Sequence, residues 1–181
     1  MKPRSYTDSG VVLAKRNYGE ADRILIVYSQ NHGKIALIAK GVRRPKSRKR
    51  GHIEIFNLVR FQAVSGRGID LMTEAEVIND FSQIRKNLKK VSLAYYFCEV
   101  TGKITHDGEP NLEVFNLLTE NLEKLKSAKE LKTLRLDFIF RMLTILGFWP
   151  RGKTLSNPDE KLEEVIERQL TSVRVGKLML Q

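Results

Sequence analysis

Apolar positions in the first third of the chain come in short bursts. Ser9–Ala14 (SGVVLA), Arg23–Tyr28 (RILIVY) and Lys34–Ala39 (KIALIA) are rich in β-branched residues, a composition that favours strands. Asn31-His32-Gly33 separates the second run from the third, and Gly33 can supply the positive φ of a tight hairpin. Ile55–Val64 predicts a longer fourth strand, Ser65-Gly66-Arg67-Gly68 a turn, and Ile69–Ala75 a fifth strand. Five short strands in about 75 residues, with turn residues between them, predict a small Greek-key barrel, which closes its own edges.

The period changes near residue 80. Ile84, Leu88, Val91, Tyr95 and Cys98 recur every three or four residues and predict a helix over 84–100. Asp107-Gly108-Glu109-Pro110 breaks it, and Asn111 is placed to cap a second helix with Leu112, Phe115, Leu118, Leu122 and Leu125 on its inner face. A third runs from Glu130 through Leu134, Phe138, Met142 and Ile145 to Gly147, and Pro150 forbids its continuation. Asn157-Pro158 can open a fourth through Leu162, Ile166 and Leu170, and Thr171–Gln181 predicts a short closing helix. The reading is therefore α+β: a strand-rich domain over residues 1–79 and an all-α domain over residues 80–181.

Charge sharpens this division. The formal net charge is +11. Residues 1–68 hold 15 Lys and Arg against 4 Asp and Glu, and residues 69–181 hold 17 of each, so the whole excess sits on the strand-rich part. A localised positive field attracts polyanions such as DNA, RNA or an anionic surface; a basic face kept for solubility alone is the plainer reading. Lys40–Arg50 (KGVRRPKSRKR), between strands three and four, has seven Lys and Arg and no acid. Such a run resists burial and predicts an exposed loop, disordered when free. Arg presents a planar fork of donors to phosphate oxygens and Lys a mobile point charge. Lys40, Arg43, Arg44, Lys46, Arg48, Lys49 and Arg50 are thus the leading candidates for nucleic-acid contact, with Arg16, Lys34, Arg60 and Arg67 behind them.

Other chemistry is thin. Gly66-Arg67-Gly68 is too short for a phosphate-cradling loop and reads as a hairpin turn. His32, His52, His106 and Cys98 have no metal-ligand spacing, and no local pattern gives Cys98 or a serine a partner base. Glu20-Ala21-Asp22 and Glu74-Ala75-Glu76 could feed a two-metal site but read better as a turn and a strand end. No catalytic residue, metal site or cofactor is therefore expected. Tyr28 and Phe56 are expected to pack inward, whereas Tyr18, in Arg16-Asn17-Tyr18-Gly19, can either pack or stack on a base. Cys98 is the single cysteine, which excludes an intrachain disulfide. The opening MKPRSYTDSG has no apolar core of a signal peptide, and no apolar run approaches a membrane span.

Four pieces stand in order at fixed spacing: Thr7-Asp8-x-Gly10-x-Val12-Leu13, Tyr18-Gly19-Glu20-x-Asp22-Arg23, His32-Gly33-Lys34, and Ala39-Lys40-Gly41-x-Arg43-Arg44-Pro45-x-Ser47. Together they resemble the opening of the bacterial RecO family of DNA repair and recombination mediators. Phe138–Pro150 (FIFRMLTILGFWP) is similar to that family's helix ending in a Leu-Gly-aromatic-x-Pro turn. The resemblance implies an N-terminal oligonucleotide-binding (OB) barrel, a helical domain behind it and no enzymatic activity. It implies binding of single- and double-stranded DNA, annealing of complementary strands and help in recombinase loading. It implies as partners the ring-forming protein RecR and the acidic tail of the single-stranded-DNA-binding protein, in a cytoplasmic, nucleoid-associated setting. One departure stands out. Many members carry a four-cysteine zinc module after the Pro of that turn, whereas Pro150 is followed by Arg-Gly-Lys-Thr-Leu-Ser-Asn-Pro without a cysteine. Rival readings are an RNA-binding or ribosome-associated barrel and a scaffold whose basic loop holds acidic partner tails.

Overall fold

The longest strand, β1 (Ser5–Tyr18), serves two neighbours in the computed structural model, which describes residues 5–167. Its first half pairs antiparallel with β4 (Leu58–Val64) and its second half with β2 (Asp22–Ser29). β2 continues into β3 (Gly33–Ala39) as a hairpin, and β4 pairs antiparallel with β5 (Asp70–Asn79). The parallel pairs Leu37↔Asp70 and Ile38↔Leu71 join β3 to β5 and close the ring in the order β1-β2-β3-β5-β4. This is the five-stranded OB-like barrel that the sequence predicts. Its interior is apolar, built from Val12, Leu25, Val27, Leu37, Val59, Phe61, Ala63 and Met72.

The strand ends differ from expectation for local reasons. The fourth strand begins at Leu58, not Ile55, because Phe56 adopts a positive φ of 61°. Its N–H donates to the Val12 carbonyl (2.8 Å), and its ring packs edge-on against Tyr95 with the Arg85 guanidinium 3.9 Å above it. β1 carries a bulge between Val12 and Ala14, which shifts the inward–outward alternation by one residue.

Helix α1 (Ser82–Arg85) stops at Lys86-Asn87, and α2 (Leu88–Ile104) starts afresh with the Asn87 side chain accepting from the Lys89 and Lys90 amides. The restart moves the buried face. Leu88 is 81% exposed and Tyr95 44%, while Leu93, Ala94, Phe97, Cys98, Val100, Thr101 and Ile104 are buried. Helix α3 (Leu112–Leu125) is capped by Asn111 as expected, with Phe115, Leu118, Leu122 and Leu125 buried and Leu112 exposed. Helix α4 (Leu131–Ile145) ends before Gly147, whose φ is +79°. Residues 158–167 are helical; Leu170 and the predicted closing helix over 171–181 lie outside the described residues.

Two compact units emerge. One runs from Met1 to Ser127 and the other starts at Ala128. The change from strands to helices falls at residue 80, and the first unit continues past it through α3. In that unit α2 lies on the outer face of β1, with the Cys98 Sγ 3.8 Å from the Val12 carbonyl oxygen. Within the second unit, Arg135 grips the Asp159 carboxylate through both guanidinium nitrogens and holds its pKa below the usual carboxylate value.

Candidate nucleic-acid interface

The basic segment after β3 is not a loose tail. Gly41–Arg44 and Arg44–Ser47 are closed by backbone hydrogen bonds of 3.1 and 3.0 Å, and His52 N–H donates to the Lys49 carbonyl (3.0 Å). Val42 and Ile53 are fully buried and join the barrel core. Two apolar anchors thus fix a segment whose charges read, from sequence, as a disordered loop. The β1–β2 turn fixes it further. Asp22 Oδ1 accepts from the Gly41 amide (2.7 Å), and the Arg43 amide donates to the Ala21 carbonyl (2.9 Å). The Arg43 guanidinium donates to the carbonyls of Gly19 (3.4 Å) and Glu20 (3.1 Å).

The candidate cations separate by environment. Lys40, Arg44, Lys46, Arg48 and Arg50 are exposed, and their side chains make no hydrogen bond or ion pair among the described residues. Arg43 is exposed but engaged by the turn. Lys49 donates to the Met72 carbonyl (3.3 Å), which draws it against the barrel. Arg16 is exposed near the end of β1, beside the same turn. Arg60 is exposed on β4, where Glu76 of β5 stands directly opposite, so its field is partly cancelled. Arg67 is exposed in the β4–β5 turn, apart from the basic segment.

Lys34 is elsewhere altogether. Its ammonium donates to the carbonyls of Gly102 (2.8 Å) and Thr105 (2.7 Å) and pairs with Asp107 (3.2 Å). It closes the C-terminal end of α2, where free carbonyls and the helix dipole favour a cation, and its ammonium is engaged by these groups. Its place in His32-Gly33-Lys34 gives no sign of this, because the Gly102 carbonyl lies 68 residues away.

The acids of the barrel also have structural work. Asp8 is buried and accepts from His32 Nδ1 (2.7 Å), the Asn31 side chain (2.8 Å) and the amides of Ser9 and Asn31. Burial alone would raise its pKa; these hydrogen bonds outweigh it and hold the carboxyl below its ordinary value. Glu54 pairs with Lys15 and Arg23. Of the four acids in residues 1–68, Asp8, Asp22 and Glu54 are engaged internally, and Glu20 stands exposed in the turn that Arg43 fastens.

Cys98 is buried, and burial pushes its thiol up to about 12, which keeps it protonated and unsuited to nucleophilic or metal chemistry. Among the described residues no three His, Cys, Asp or Glu side chains come together. The stretch after Pro150 offers no cysteine, so a four-cysteine zinc module does not fit there. No described helix is long and apolar enough to cross a membrane.

Comparison with known proteins bears on this geometry. The family model described as recombination protein O N terminal matches residues 1–81, and the corresponding C-terminal model matches residues 85–164. The chain is 35% identical over 145 residues to the DNA repair protein RecO of Pelotomaculum thermopropionicum, covering 80% of this chain and 56% of that protein. It is 35% identical over 147 residues to that of Rubrobacter xylanophilus (81% and 59%). It is 37% identical over 149 residues to that of Bifidobacterium adolescentis (81% and 61%). The matched region thus spans less than two thirds of the length of these relatives.

Proposed function

The chain belongs to the recombination protein O family, and from that premise we propose that it is a non-enzymatic DNA-binding mediator of recombinational repair whose phosphate-contacting surface is the segment 40–50. The observation that carries this reading is the set of five exposed, unpartnered cations, Lys40, Arg44, Lys46, Arg48 and Arg50, mounted on turns fixed by Val42, Asp22 and Arg43. Residues 1–79 act as the nucleic-acid-binding domain in this reading and residues 80–181 as the helical domain. Phosphate contacts give affinity and register without base selectivity, which suits a protein that must act on any damaged sequence. Annealing follows without a catalytic group: cations that neutralise phosphates on two strands lower their repulsion, and base pairing supplies the drive. RecR and the tail of the single-stranded-DNA-binding protein are the partners that family membership suggests, and both stand as proposals for this chain.

Salt dependence is the test. Each phosphate neutralised releases condensed counterions, so about four contacts give a log–log slope of roughly −3 on single strands. Replacing Arg44, Lys46, Arg48 and Arg50 together by Ala is expected to flatten that slope and weaken binding to all sequences alike, with the melting temperature nearly unchanged. Arg43 is left intact because it ties two loops together. Anisotropy titrations at several salt concentrations, on DNA and RNA of one sequence, measure this. A folded variant that binds with the parent's slope would remove the segment from the interface, and tighter binding to RNA than to DNA would favour the RNA reading.

A further inference from the structure

Phosphate contacts account for attraction to a polyanion but not for any distinction between single strands and duplex. An exposed aromatic ring is the kind of group that makes such a distinction. Of the aromatic residues between Ser5 and Asn79, Tyr28, Phe56 and Phe61 are at most 1% exposed. Tyr6 is half-buried, with its hydroxyl donating to Asp70 (2.8 Å) and its ring 4.4 Å from that of His32. Tyr18 stands apart at 52% exposed.

Its exposure is set by the strand. Val12 faces the barrel interior opposite Val27, another interior residue. Without a bulge, Ala14 would fall opposite Leu25, whose side chain is in the interior. The bulge instead sets Ala14 opposite Ile26, Arg16 opposite Ile24 and Tyr18 opposite Asp22. Lys15 and Asn17 take the inward phase at the barrel mouth, where Lys15 pairs with Glu54 and Asn17 accepts from Arg23. Arg16 and Tyr18 are thereby turned to the same outer side, roughly 6–7 Å apart along the strand. One residue on, the turn starting at Gly19 is where Arg43 and Asp22 fasten the basic segment.

An exposed ring is unremarkable by itself, since much of any protein surface is apolar. The position of this one is what counts. It lies beside Arg16, at the base of a turn clamped by Arg43, next to a segment of unpartnered cations. Hydrogen bonds from Gly41 and Arg43 fix the turn that follows it, so only the side chain itself has to be ordered at binding. Every nucleobase has a π-face, and stacking on an aromatic ring is tolerant of sequence.

We propose that Tyr18 is a base-stacking platform for single-stranded nucleic acid, receiving one unpaired nucleobase while Arg16 and the 40–50 segment hold the flanking phosphates. This rests on the phosphate-binding role proposed above and deepens it. A base inside a duplex hides its faces in the stack, so the platform acts on unpaired strands and favours them over duplex. It also leaves the Watson–Crick edge of the stacked base open to an incoming complementary strand, a condition annealing requires.

The test uses the full chain with the substitutions Tyr18→Ala, Tyr18→Phe and Tyr18→Trp, titrated by anisotropy against a labelled oligothymidine and a duplex of equal length at several salt concentrations. Loss of one stacked base is expected to weaken single-strand binding by about 5- to 150-fold in Tyr18→Ala. The salt slope stays unchanged, because a neutral ring releases no counterions. Duplex affinity stays at the parent's value, and the Phe and Trp variants bind single strands like the parent. The Trp variant adds a direct readout: its fluorescence is quenched on single-strand binding beyond any change given by Trp149 in the parent. Equal single-strand affinity of Tyr18→Ala and parent, or an equal loss on strand and duplex, overturns the proposal. If Tyr18→Ala melts lower than the parent, the absence of quenching in the Trp variant overturns it by itself. Steep salt dependence in the parent with no effect of Tyr18 leaves the phosphate interface standing and removes the stacking site alone; a parent that binds no DNA removes both.

Discussion

Asp8 is an acid inside the most cationic part of the chain, and its carboxylate is fully covered. A carboxylate in that position survives only if its lone pairs are filled, and here the side chains of Asn31 and His32 and two backbone amides fill them. These contacts tie β1 to the β2–β3 hairpin. Replacing Asp8 with Ala strands several donors and is expected to cost on the order of 3 kcal/mol. The pH dependence has a definite sign. The folded pKa lies below the ordinary value, so the stabilisation is complete above about pH 4, the unfolded carboxyl's range, and disappears as the pH falls through the folded pKa. Urea unfolding of parent and variant from neutral to acidic pH should therefore show a large gap that narrows below about pH 4. A gap independent of pH over that range would mean that packing, not charge, holds this corner. His32, Asp22 and Arg43 are likewise engaged within the barrel and its turns. All belong to the stretches that resemble the family, and all hold loops in place.

The β2–β3 hairpin is an element whose outer contact decides its tolerance. Gly33 has a φ of +66°, and a Cβ there would lie 2.3 Å from the Glu109 carbonyl oxygen and 2.7 Å from the Pro110 nitrogen. Both are backbone atoms of the segment between α2 and α3, which cannot step aside alone. Gly33→Ala should therefore destabilise by roughly 3 kcal/mol or more, combining left-handed strain with a backbone clash. Gly19→Ala, at φ +55° with no atom within 4 Å of a Cβ, should cost only the strain, about 1–2 kcal/mol. Thermal melts of the two variants test this, and equal losses would contradict the clash. The hairpin, the glycine and the breaker Asp107-Gly108-Glu109-Pro110 are all legible as local patterns. Their contact is not, because nothing local encodes a meeting 76 residues apart. The same limit governs α2. Periodicity weights Leu88, Tyr95 and Cys98 alike, but the Asn87 cap resets the helix and close approach to the barrel selects small side chains such as Ala94 and Cys98. In the basic segment the charges were legible and Val42 was not, since one valine among cations gives no period to read. Lys34 reads as a surface cation because two of its partners are carbonyls, which carry no sequence signature, and the third, Asp107, is distant in the chain.

At the scale of the whole molecule, the charge asymmetry and the packing divide the chain at different places. The cationic excess ends near residue 68 and the strands end at Asn79, yet the first compact unit runs to Ser127. The reason is the outer face of the barrel. Leu13 lies against α2, 3.7 Å from where a Cβ on Gly102 would stand, and Phe56 packs on Tyr95 of the same helix. Burial of each such side chain contributes about 1.5–3 kcal/mol, against a total stability of roughly 5–15 kcal/mol for an ordinary domain. A chain cut after Asn79 would expose Leu13 and Phe56, strip Lys34 of the carbonyls it binds on α2, and leave a barrel with little margin. A chain cut after Ser127 keeps all of these contacts and the entire 40–50 segment. The expectation is that residues 1–127 melt cooperatively and bind single-stranded DNA with the parent's salt slope, whereas residues 1–79 show no cooperative transition. Calorimetry or circular-dichroism melts of the two fragments, with salt titrations of any that fold, measure the difference. Cooperative melting of 1–79 with an undiminished slope would make residue 79 a folding boundary as well as a change of secondary structure, and would relegate α2 to an accessory layer. Failure of 1–127 to fold would instead assign part of the barrel's stability to residues beyond Ser127.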